Sequence, residues 1–250
     1  MPLLTFAAGR PPGLPEQVGE FHILPQPDDS SCGPTALHAV YRHFGFDLPL
    51  ERILKEVTSL QEGGTLAVLL GIHALQHGLN ARIHSYNLRV LDPTWEQLPR
   101  QEVRRRIVEQ MRHKRGKKLR IACEAYAKFL DLGGELDFQD LDRRLLKRYL
   151  DRDLPVLTGL SATYLYRSMR EREDSQGRLV HDDLRGTPTG HFVVLHGMKG
   201  DLVQVADPFQ DNPLGVAHHY EEPVDRVIRA ILLGVMTYDA NLLILSKEPL

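Results

Sequence analysis

The sequence predicts an α+β fold in which a helical N-terminal half precedes an antiparallel sheet. After Cys32, apolar residues recur at three- and four-residue spacing up to Phe44, which is typical of an amphipathic helix. Between His191 and Phe209, two runs rich in β-branched residues flank a short loop with glycines, which is typical of a β-hairpin. The chain has 250 residues, of which 42% are hydrophobic, so it is long enough to bury a substantial core.

The first helix is predicted to begin at or next to Cys32 and to end before Gly45, after about a dozen residues. Ser30 or Ser31 can cap its N-terminus, and Pro34 is tolerated because first-turn amides have no acceptor within the helix. Cys32 then lies at the positive end of the helix. That position favours the thiolate over the thiol, and the thiolate is the nucleophilic form.

Gln26 lies six residues before Cys32 and offers a neutral amide donor. Its side chain could converge with the backbone N–H of Cys32 on one carbonyl oxygen, which is the arrangement that acyl transfer needs. A buried packing role for Cys32 and a solvated position for Gln26 are the alternatives.

The hairpin near the other end of the chain offers a base and its partner. With a loop centred near Lys199, His196 lies opposite Leu202, and His191 lies opposite Asp207 at the open end. Opposed residues share a face of the sheet, so the carboxylate can hold one ring nitrogen of His191 and leave the other free. A register slip of one residue would separate the two side chains. The alternatives are a solvent-facing histidine and an aspartate of a turn.

The chain resembles the bacterial C39-like cysteine peptidases, which have a papain-like fold, at four places in chain order: Gln26, Cys32-Gly33-Pro34-Thr35-Ala36-Leu37, Gly190-His191-Phe192-Val193-Val194-Leu195 and Ala206-Asp207-Pro208. The resemblance covers the two ends of the chain well and the middle poorly. It implies Gln26 as oxyanion-hole donor, Cys32 as nucleophile, His191 as general base and Asp207 as the residue that orients the histidine.

Two further features refine the resemblance. Ser31 stands where many members of the family have an acidic residue, and the run 160–167 is closer to a freestanding subgroup without transporter domains. The implied function is a cysteine peptidase or amide hydrolase that acts on a peptide or an amide-containing small molecule and needs no metal or organic cofactor. The alternatives are an acyltransferase or transpeptidase on the same triad, or an inactive peptide-binding module.

Composition bounds the cellular setting. The net charge is −2, which indicates no general polyanion partner. Cys32 and Cys123 are too few for a disulfide framework and favour a reducing compartment, and Cys123 lies in a helical pattern that indicates buried packing. Residues 1–17 make a poor signal peptide, and no uncharged apolar run is long enough to span a bilayer. We therefore expect a bacterial cytoplasmic protein without membrane contact.

The remaining elements follow from apolar spacing. Residues 1–20 are predicted as an extended lead-in and residues 21–24 as a short strand. The later elements, in order, are helices over 50–59 and 65–77, a strand over 81–86, a helix over 138–150, a strand over 156–160, a helix over 224–233 and a strand over 241–246.

His73 and His77 lie four residues apart on one predicted helix. This spacing permits a metal pair, but the sequence identifies no third ligand, so two partly exposed histidines are the favoured interpretation.

The middle of the chain is charged. Ten basic and two acidic residues lie between Arg100 and Arg120. They favour a solvated helical face. We expect residues 1–250 to form a single domain with a basic helical insertion around 100–150. Nucleic-acid binding is the less favoured alternative, because no recognition motif accompanies them. A charged loop around 164–190, with its core at 168–186, is a candidate lid or a mobile insertion.

Overall fold

The computed structural model describes residues 21–58, 60, 64–215 and 218–250. Within these ranges seven strands form the main sheet, numbered in chain order and arranged in space as β2 (Glu135–Asp137), β1 (Asn80–Ser85), β9 (Asn241–Ser246), β3 (Val156–Ser161), β6 (Gly190–Lys199), β7 (Leu202–Ala206) and β8 (His219–Pro223). The β1–β2 pair is parallel and the other neighbouring pairs are antiparallel. A separate small hairpin consists of β4 (Glu171–Glu173) and β5 (Leu179–His181).

Most of the helices precede in sequence the hairpin of β6 and β7, called the central hairpin below. Those in the described residues are α1 (Cys32–His43), α2 (Leu50–Glu56), α3 (Ala67–Gln76), α4 (Arg100–Gln110), α5 (Lys117–Asp131), α6 (Arg143–Leu150), α7 (Ala162–Tyr166) and α8 (Val224–Leu233). The predicted α+β class is confirmed. Cys32 begins the helical half, and His191 lies on a mostly antiparallel sheet to which the helical half also contributes β1 and β2.

The main sheet separates two hydrophobic cores. Along β9, Leu243 and Leu245 pack into the core formed with α1, α3, α4 and α5, whereas Leu242 and Ile244 pack into the core formed with α6 and α8. Alternating side chains along a strand point to opposite faces, so a strand covered on both faces is apolar throughout. This explains why the predicted strand over 241–246 has no polar face.

Several predicted boundaries differ from the structure. The helix predicted over 138–150 begins at Arg143, because the Asp142 side chain accepts a hydrogen bond from the Leu145 N–H and caps the helix there. The strand predicted over 21–24 is wrong, since that segment has no regular structure. The extended lead-in predicted over 1–20 lies outside the described residues.

The predicted register of the central hairpin is also wrong. The loop is Gly200–Asp201, so Lys199, not His196, pairs with Leu202. Gly200 has φ +58°, which suits a tight hairpin turn. A bulge at His196 then shifts the ladder by one residue.

The shifted ladder decides where Asp207 points. Beyond the bulge, Leu195 pairs with Val205 and Val194 pairs with Ala206. Continued outward, this alternation sets Asp207 on the face of the sheet that His191 occupies, although the two residues are not directly opposed. Without the extra residue, the same loop would turn the two side chains to opposite faces.

The basic stretch forms α4 and the start of α5. Val103 and Ile107 are buried, and the arginines of α4 make exposed ion pairs, such as Arg104 with Asp131 at 2.5 Å and Arg106 with Glu102 at 2.8 Å. This arrangement is that of a solvated helical face. The part of the chain that the structure describes contains no helix long and apolar enough to cross a membrane.

Candidate active site

Cys32 is the first residue of α1 and is 8% exposed. The turn before it is shaped by Asp28, whose carboxylate accepts hydrogen bonds from the backbone N–H and the hydroxyl of Ser30. Ser31 does not cap the helix through its side chain. Its hydroxyl donates instead to the Asp28 carbonyl at 2.9 Å. Ser31 thus occupies the predicted N-cap position without the side-chain hydrogen bond of a cap, and the predicted start of the helix at Cys32 is confirmed.

The first turn of α1 packs unusually close to its neighbours. A Cβ built on Gly33 would lie 2.5 Å from Cγ2 of Thr65, so only glycine fits next to Cys32. Further along the helix, Leu37, Val40 and Tyr41 are completely buried. These contacts fix the N-terminus of the helix, and with it the sulfur atom.

His191 connects Cys32 with Asp207. Its Nε2 lies 2.8 Å from Oδ1 of Asp207, and Cys32 lies near enough to raise the pKa of the imidazole. Because Nε2 is held by the carboxylate, Nδ1 is the ring nitrogen left for the sulfur. The structure therefore brings the three predicted side chains together, although 159 positions separate the cysteine from the histidine in the sequence.

The charges around His191 favour its protonated form, the imidazolium. Burial by itself lowers the pKa of His191, but the Asp207 carboxylate and the hydrogen bonds to Asp207 and Cys32 raise it to about 10, from an ordinary 6.5. Burial likewise raises the pKa of Asp207, but the charge and hydrogen bond of His191, with the hydrogen bond from Tyr166, bring it below its ordinary value. The pair is thus an ion pair at neutral pH.

Asp207 is fully buried and has four hydrogen-bond donors. Besides His191, its Oδ1 accepts from the Phe209 N–H at 2.9 Å, while Oδ2 accepts from the hydroxyls of Tyr166 at 2.6 Å and Tyr220 at 2.8 Å. Such donors replace the water that a buried carboxylate loses. Burial and the Asp207 charge raise the pKa of both tyrosines, so both remain donors at neutral pH.

The sequence interpretation did not include these two tyrosines. Tyr166 ends α7, and Tyr220 lies on β8, opposite Val205 of the neighbouring strand. Only the pairing of β7 with β8 brings Tyr220 to Asp207. Asp207 lies two positions after Val205 and Tyr220 lies opposite Val205, so the two share a face of the sheet. A correct prediction of β8 would therefore have indicated this contact.

Gln26 lies at the edge of the site. Its backbone N–H donates to the Pro208 carbonyl at 2.9 Å, which ties the segment before Cys32 to the residue after Asp207. Its side-chain Nε2 donates to the Asp28 carbonyl at 2.9 Å. An amide nitrogen carries two N–H groups, so this bond fixes the rotamer and leaves one donor for another acceptor.

A cavity of about 460 Å³ opens beside His191. Its lining includes Gln26, Tyr166 and Phe209 from the side of His191 and Glu171, Leu179 and His181 from the β4–β5 hairpin. The charged loop predicted around 164–190 therefore forms one wall of the cleft. Glu171 is held in that wall by the Thr189 hydroxyl, which donates to its Oε2 at 2.9 Å.

A second buried carboxylate, Asp239, lies behind the site. A Cβ built on Gly190 would lie 2.6 Å from Asp239 Oδ2, and one built on Gly159 would lie 2.7 Å from Oδ1. The two glycines form a notch that receives this carboxylate, which also accepts a hydrogen bond from the Thr237 hydroxyl at 2.6 Å. Burial raises the pKa of Asp239 to about 7. Asp239 could not be predicted as part of the site, because it lies in an irregular segment before β9.

No protein-family model and no curated protein sequence matches this chain. Two solved peptidase structures are similar to it. One is the peptidase domain of Streptococcus ComA, a bi-functional ABC transporter involved in a quorum-sensing pathway. It is 12% identical, with a TM-score of 0.45, and the alignment covers 92% of this chain and 100% of that domain.

The second is a Bacillus anthracis protein that is named as a C39-like peptidase. It is 12% identical, with a TM-score of 0.49, and the alignment covers 94% of this chain and 98% of that protein. At this identity neither structure assigns a role to any residue here. Both alignments extend over nearly the whole chain.

Proposed function

We propose that the protein is a cysteine peptidase or amide hydrolase that acts through Cys32, His191 and Asp207. One observation carries the proposal: a cysteine at a helix N-terminus lies near an imidazole that is held at Nε2 by a buried carboxylate. This is the arrangement of nucleophile, base and orienting group that acyl transfer uses. An imidazolium beside the sulfur stabilises the thiolate.

The first half-reaction begins with the thiolate. Sγ of Cys32 attacks the carbonyl carbon of the scissile amide, and the carbonyl oxygen becomes an oxyanion. The Cys32 backbone N–H and the free N–H of Gln26 Nε2 donate to that oxygen. When the C–N bond breaks, His191 gives its proton to the leaving nitrogen, which departs as an amine and leaves a thioester on Cys32.

The second half-reaction uses water. Neutral His191 takes a proton from a water molecule as that water attacks the thioester carbon. The carboxylic acid product leaves, and the thiolate and imidazolium are restored. Asp207 keeps the imidazole in one orientation and stabilises its charge through both steps.

The substrate we propose is a peptide that lies in the cleft walled by the β4–β5 hairpin. Both cysteines are free and buried, and a reactive thiol persists in a reducing compartment. We therefore propose the bacterial cytoplasm as the place of action. We also propose that residues 1–250 act as one domain, in which the helices of 100–150 are an insertion.

The first test is the pH dependence of alkylation by iodoacetamide, resolved between the two cysteines by peptide mapping. Cys32 should react at a pH well below that at which a free thiol reacts, and His191→Ala should move its profile to higher pH. Cys123 is the internal control, because it is completely buried and burial raises its pKa. A Cys32 profile that matches that of a free thiol and ignores His191 would refute the proposal.

Turnover can be tested with a defined peptide library read by mass spectrometry. The wild type should cleave a subset of the peptides, Cys32→Ala should cleave none of them, and Cys123→Ala should cleave the same subset as the wild type. Cleavage by Cys32→Ala at the wild-type rate would show that the reaction does not pass through this thiol. Amide products formed with added amines would indicate acyl transfer instead of hydrolysis.

A further inference from the structure

A cluster of three side chains on the helical half lies outside the proposed active site. Glu56 ends α2, His73 lies in the last turn of α3, and His77 follows that helix. Glu56 Oε2 lies 3.1 Å from His73 Nε2 and 3.4 Å from His77 Nε2. One ligand atom from each residue lies within 4.8 Å of those of the other two.

The hydrogen bonds of His77 leave a lone pair facing a carboxylate. Its Nδ1 lies 2.9 Å from the backbone carbonyl of His73, and a carbonyl oxygen can only accept, so Nδ1 carries the proton. In the neutral ring, Nε2 then has a lone pair, and it faces Oε2 of Glu56. A cation between these two atoms would accept both lone pairs.

The two rings pack face to face beside one carboxylate. The imidazoles of His73 and His77 stack with centroids 4.2 Å apart and planes at 16°. Their Nε2 atoms lie beside the same oxygen, Oε2 of Glu56. A neutral imidazole is the form that coordinates a metal.

Each candidate ligand is oriented by a second group. Tyr41 Oη lies 2.7 Å from His73 Nδ1, and Arg52 Nε donates to Oε1 of Glu56 at 2.7 Å. The carbonyl of His73 holds His77 in the same way. Metal-binding histidines and carboxylates usually have such partners on their far side, where they fix the tautomer and the direction of the free atom.

The donor set and spacing select a class of metal. Tetrahedral zinc bonds of about 2.1 Å set ligand atoms about 3.4 Å apart, close to the two measured distances. Two imidazoles four residues apart with one carboxylate suit zinc and related transition metals, whereas calcium and magnesium prefer oxygen donors alone. A cavity of about 280 Å³ lined by Glu56, His73 and Gln76 leaves room for a water molecule as a fourth ligand.

We propose that Glu56, His73 and His77 bind one divalent transition metal ion of the zinc class, which joins the end of α2 to the end of α3. Sequence spacing could not identify the third ligand, because Glu56 lies 17 positions before His73, on another helix. His73 contacts Tyr41 of α1, the helix that begins with Cys32, so bound metal would stabilise the helical half. The site is independent of the proposed thiol chemistry.

The test is zinc titration of the full chain by calorimetry, in a Cys32→Ala background. That background is needed because a thiolate beside an imidazole could bind zinc by itself. We expect one zinc ion per chain, a higher melting temperature with zinc than with a chelator, and a visible absorption spectrum of four-coordinate Co²⁺ when cobalt replaces zinc.

Three variants locate the site. Glu56→Gln and His77→Ala should each weaken zinc binding by at least about 100-fold and should abolish the cobalt spectrum. This loss exceeds the usual effect of changing a residue that only orients a ligand. Glu124→Gln is the matched control, because Glu124 lines the same cavity but is not in the cluster, and it should bind like the background. Each variant should have the same melting temperature in chelator as the Cys32→Ala protein in chelator, which would show that its fold is intact.

The proposal is overturned if the background binds no zinc, or if Glu56→Gln and His77→Ala bind it as tightly as Glu124→Gln does. Neither result bears on the alkylation of Cys32, so failure here and failure of the proposed peptidase function are separate outcomes.

Discussion

At the scale of single residues, Asp207 controls the charge of the site. A carboxylate without exposure to water is costly unless its lone pairs are occupied, and here two tyrosine hydroxyls, one backbone N–H and one imidazole occupy them. Because the carboxylate stays ionised, the proton of the pair stays on His191. Asp207 does not line the cleft, yet its charge sets the protonation of His191, which does.

Replacing Asp207 with Asn should lower the pKa of His191 from about 10 towards its ordinary 6.5, because the amide has the shape of the carboxylate but not its charge. The alkaline limit of peptide cleavage should move to lower pH, and the rate near neutral pH should fall at least about tenfold. The imidazole titration can be followed by NMR on the histidine-labelled protein.

Tyr220→Phe is the control for this prediction. It removes one donor to Asp207 but keeps the negative charge, so the pKa of His191 should stay nearer to about 10 than it does in Asp207→Asn. Equal titration curves in both variants would contradict the role assigned to the charge.

The sequence was informative about Gln26, Cys32, His191 and Asp207 because each belongs to a short motif with a local physical reason. It could not predict the tyrosines, Asp239 or Glu56 as part of any cluster. Those residues reach their partners only through strand pairing or helix packing, and their neighbours in the sequence do not specify those contacts.

At the scale of elements, the start of β6 is positioned by a close approach of backbone to side chain. Gly190 and Gly159, on adjacent strands, leave the space that Asp239 fills. The residue after Gly190 is His191, so the depth at which the strand packs against Asp239 sets the position of the imidazole.

Gly190→Ala should therefore displace His191. A Cβ at this position would lie 2.6 Å from Asp239 Oδ2 and 2.7 Å from the Thr237 hydroxyl oxygen, which is closer than packed atoms approach. We expect a loss of about 1–3 kcal/mol in the free energy of unfolding. We also expect slower alkylation of Cys32 at pH 6, measured with the iodoacetamide assay.

Gly200→Ala provides a matched change at the other end of the same strand. A Cβ there meets nothing within 4 Å, but the positive φ makes it cost about 1 kcal/mol of stability. Alkylation of Cys32 should keep its wild-type rate. If both variants slow alkylation equally, the effect is one of general stability and not of the notch.

The order and type of most elements could be predicted because their apolar spacing is regular, as in α8 and β9. The hairpin register could not, because it depends on a two-residue loop and on a bulge at His196, and neither leaves a pattern in hydrophobicity. The predicted register was wrong, but it differed from the observed register by an even number of residues. It therefore still placed His191 and Asp207 on the same face of the sheet.

At the scale of the whole molecule, the ion pair of His191 and Asp207 couples stability to pH. His191 has a higher pKa in the folded protein than its ordinary 6.5, so its contribution is complete below pH 6.5 and is lost as the pH rises through about 10. The pKa of Asp207 is lowered, so its contribution is present above its ordinary value of 3.8 and is lost as the pH falls.

The free energy of unfolding of the wild type should therefore decrease between pH 6.5 and pH 10, as measured by urea denaturation at several pH values. In His191→Gln this decrease should be smaller, because the group that releases its proton is gone. His181→Gln, a change of a more exposed histidine on β5, should keep the wild-type slope. A slope that is the same in all three proteins would contradict the ion pair.

The place of β9 in the sheet has a consequence for how the molecule is made. This strand comes last in the sequence but lies between β1 and β3, so the half of the sheet with β1 joins the half with His191 only after residues 241–246 have emerged from the ribosome. Pairings between distant parts of a chain form late in folding. A growing chain that already contains Cys32 and His191 thus lacks the strand that joins the two parts of the sheet until residues 241–246 have also been made.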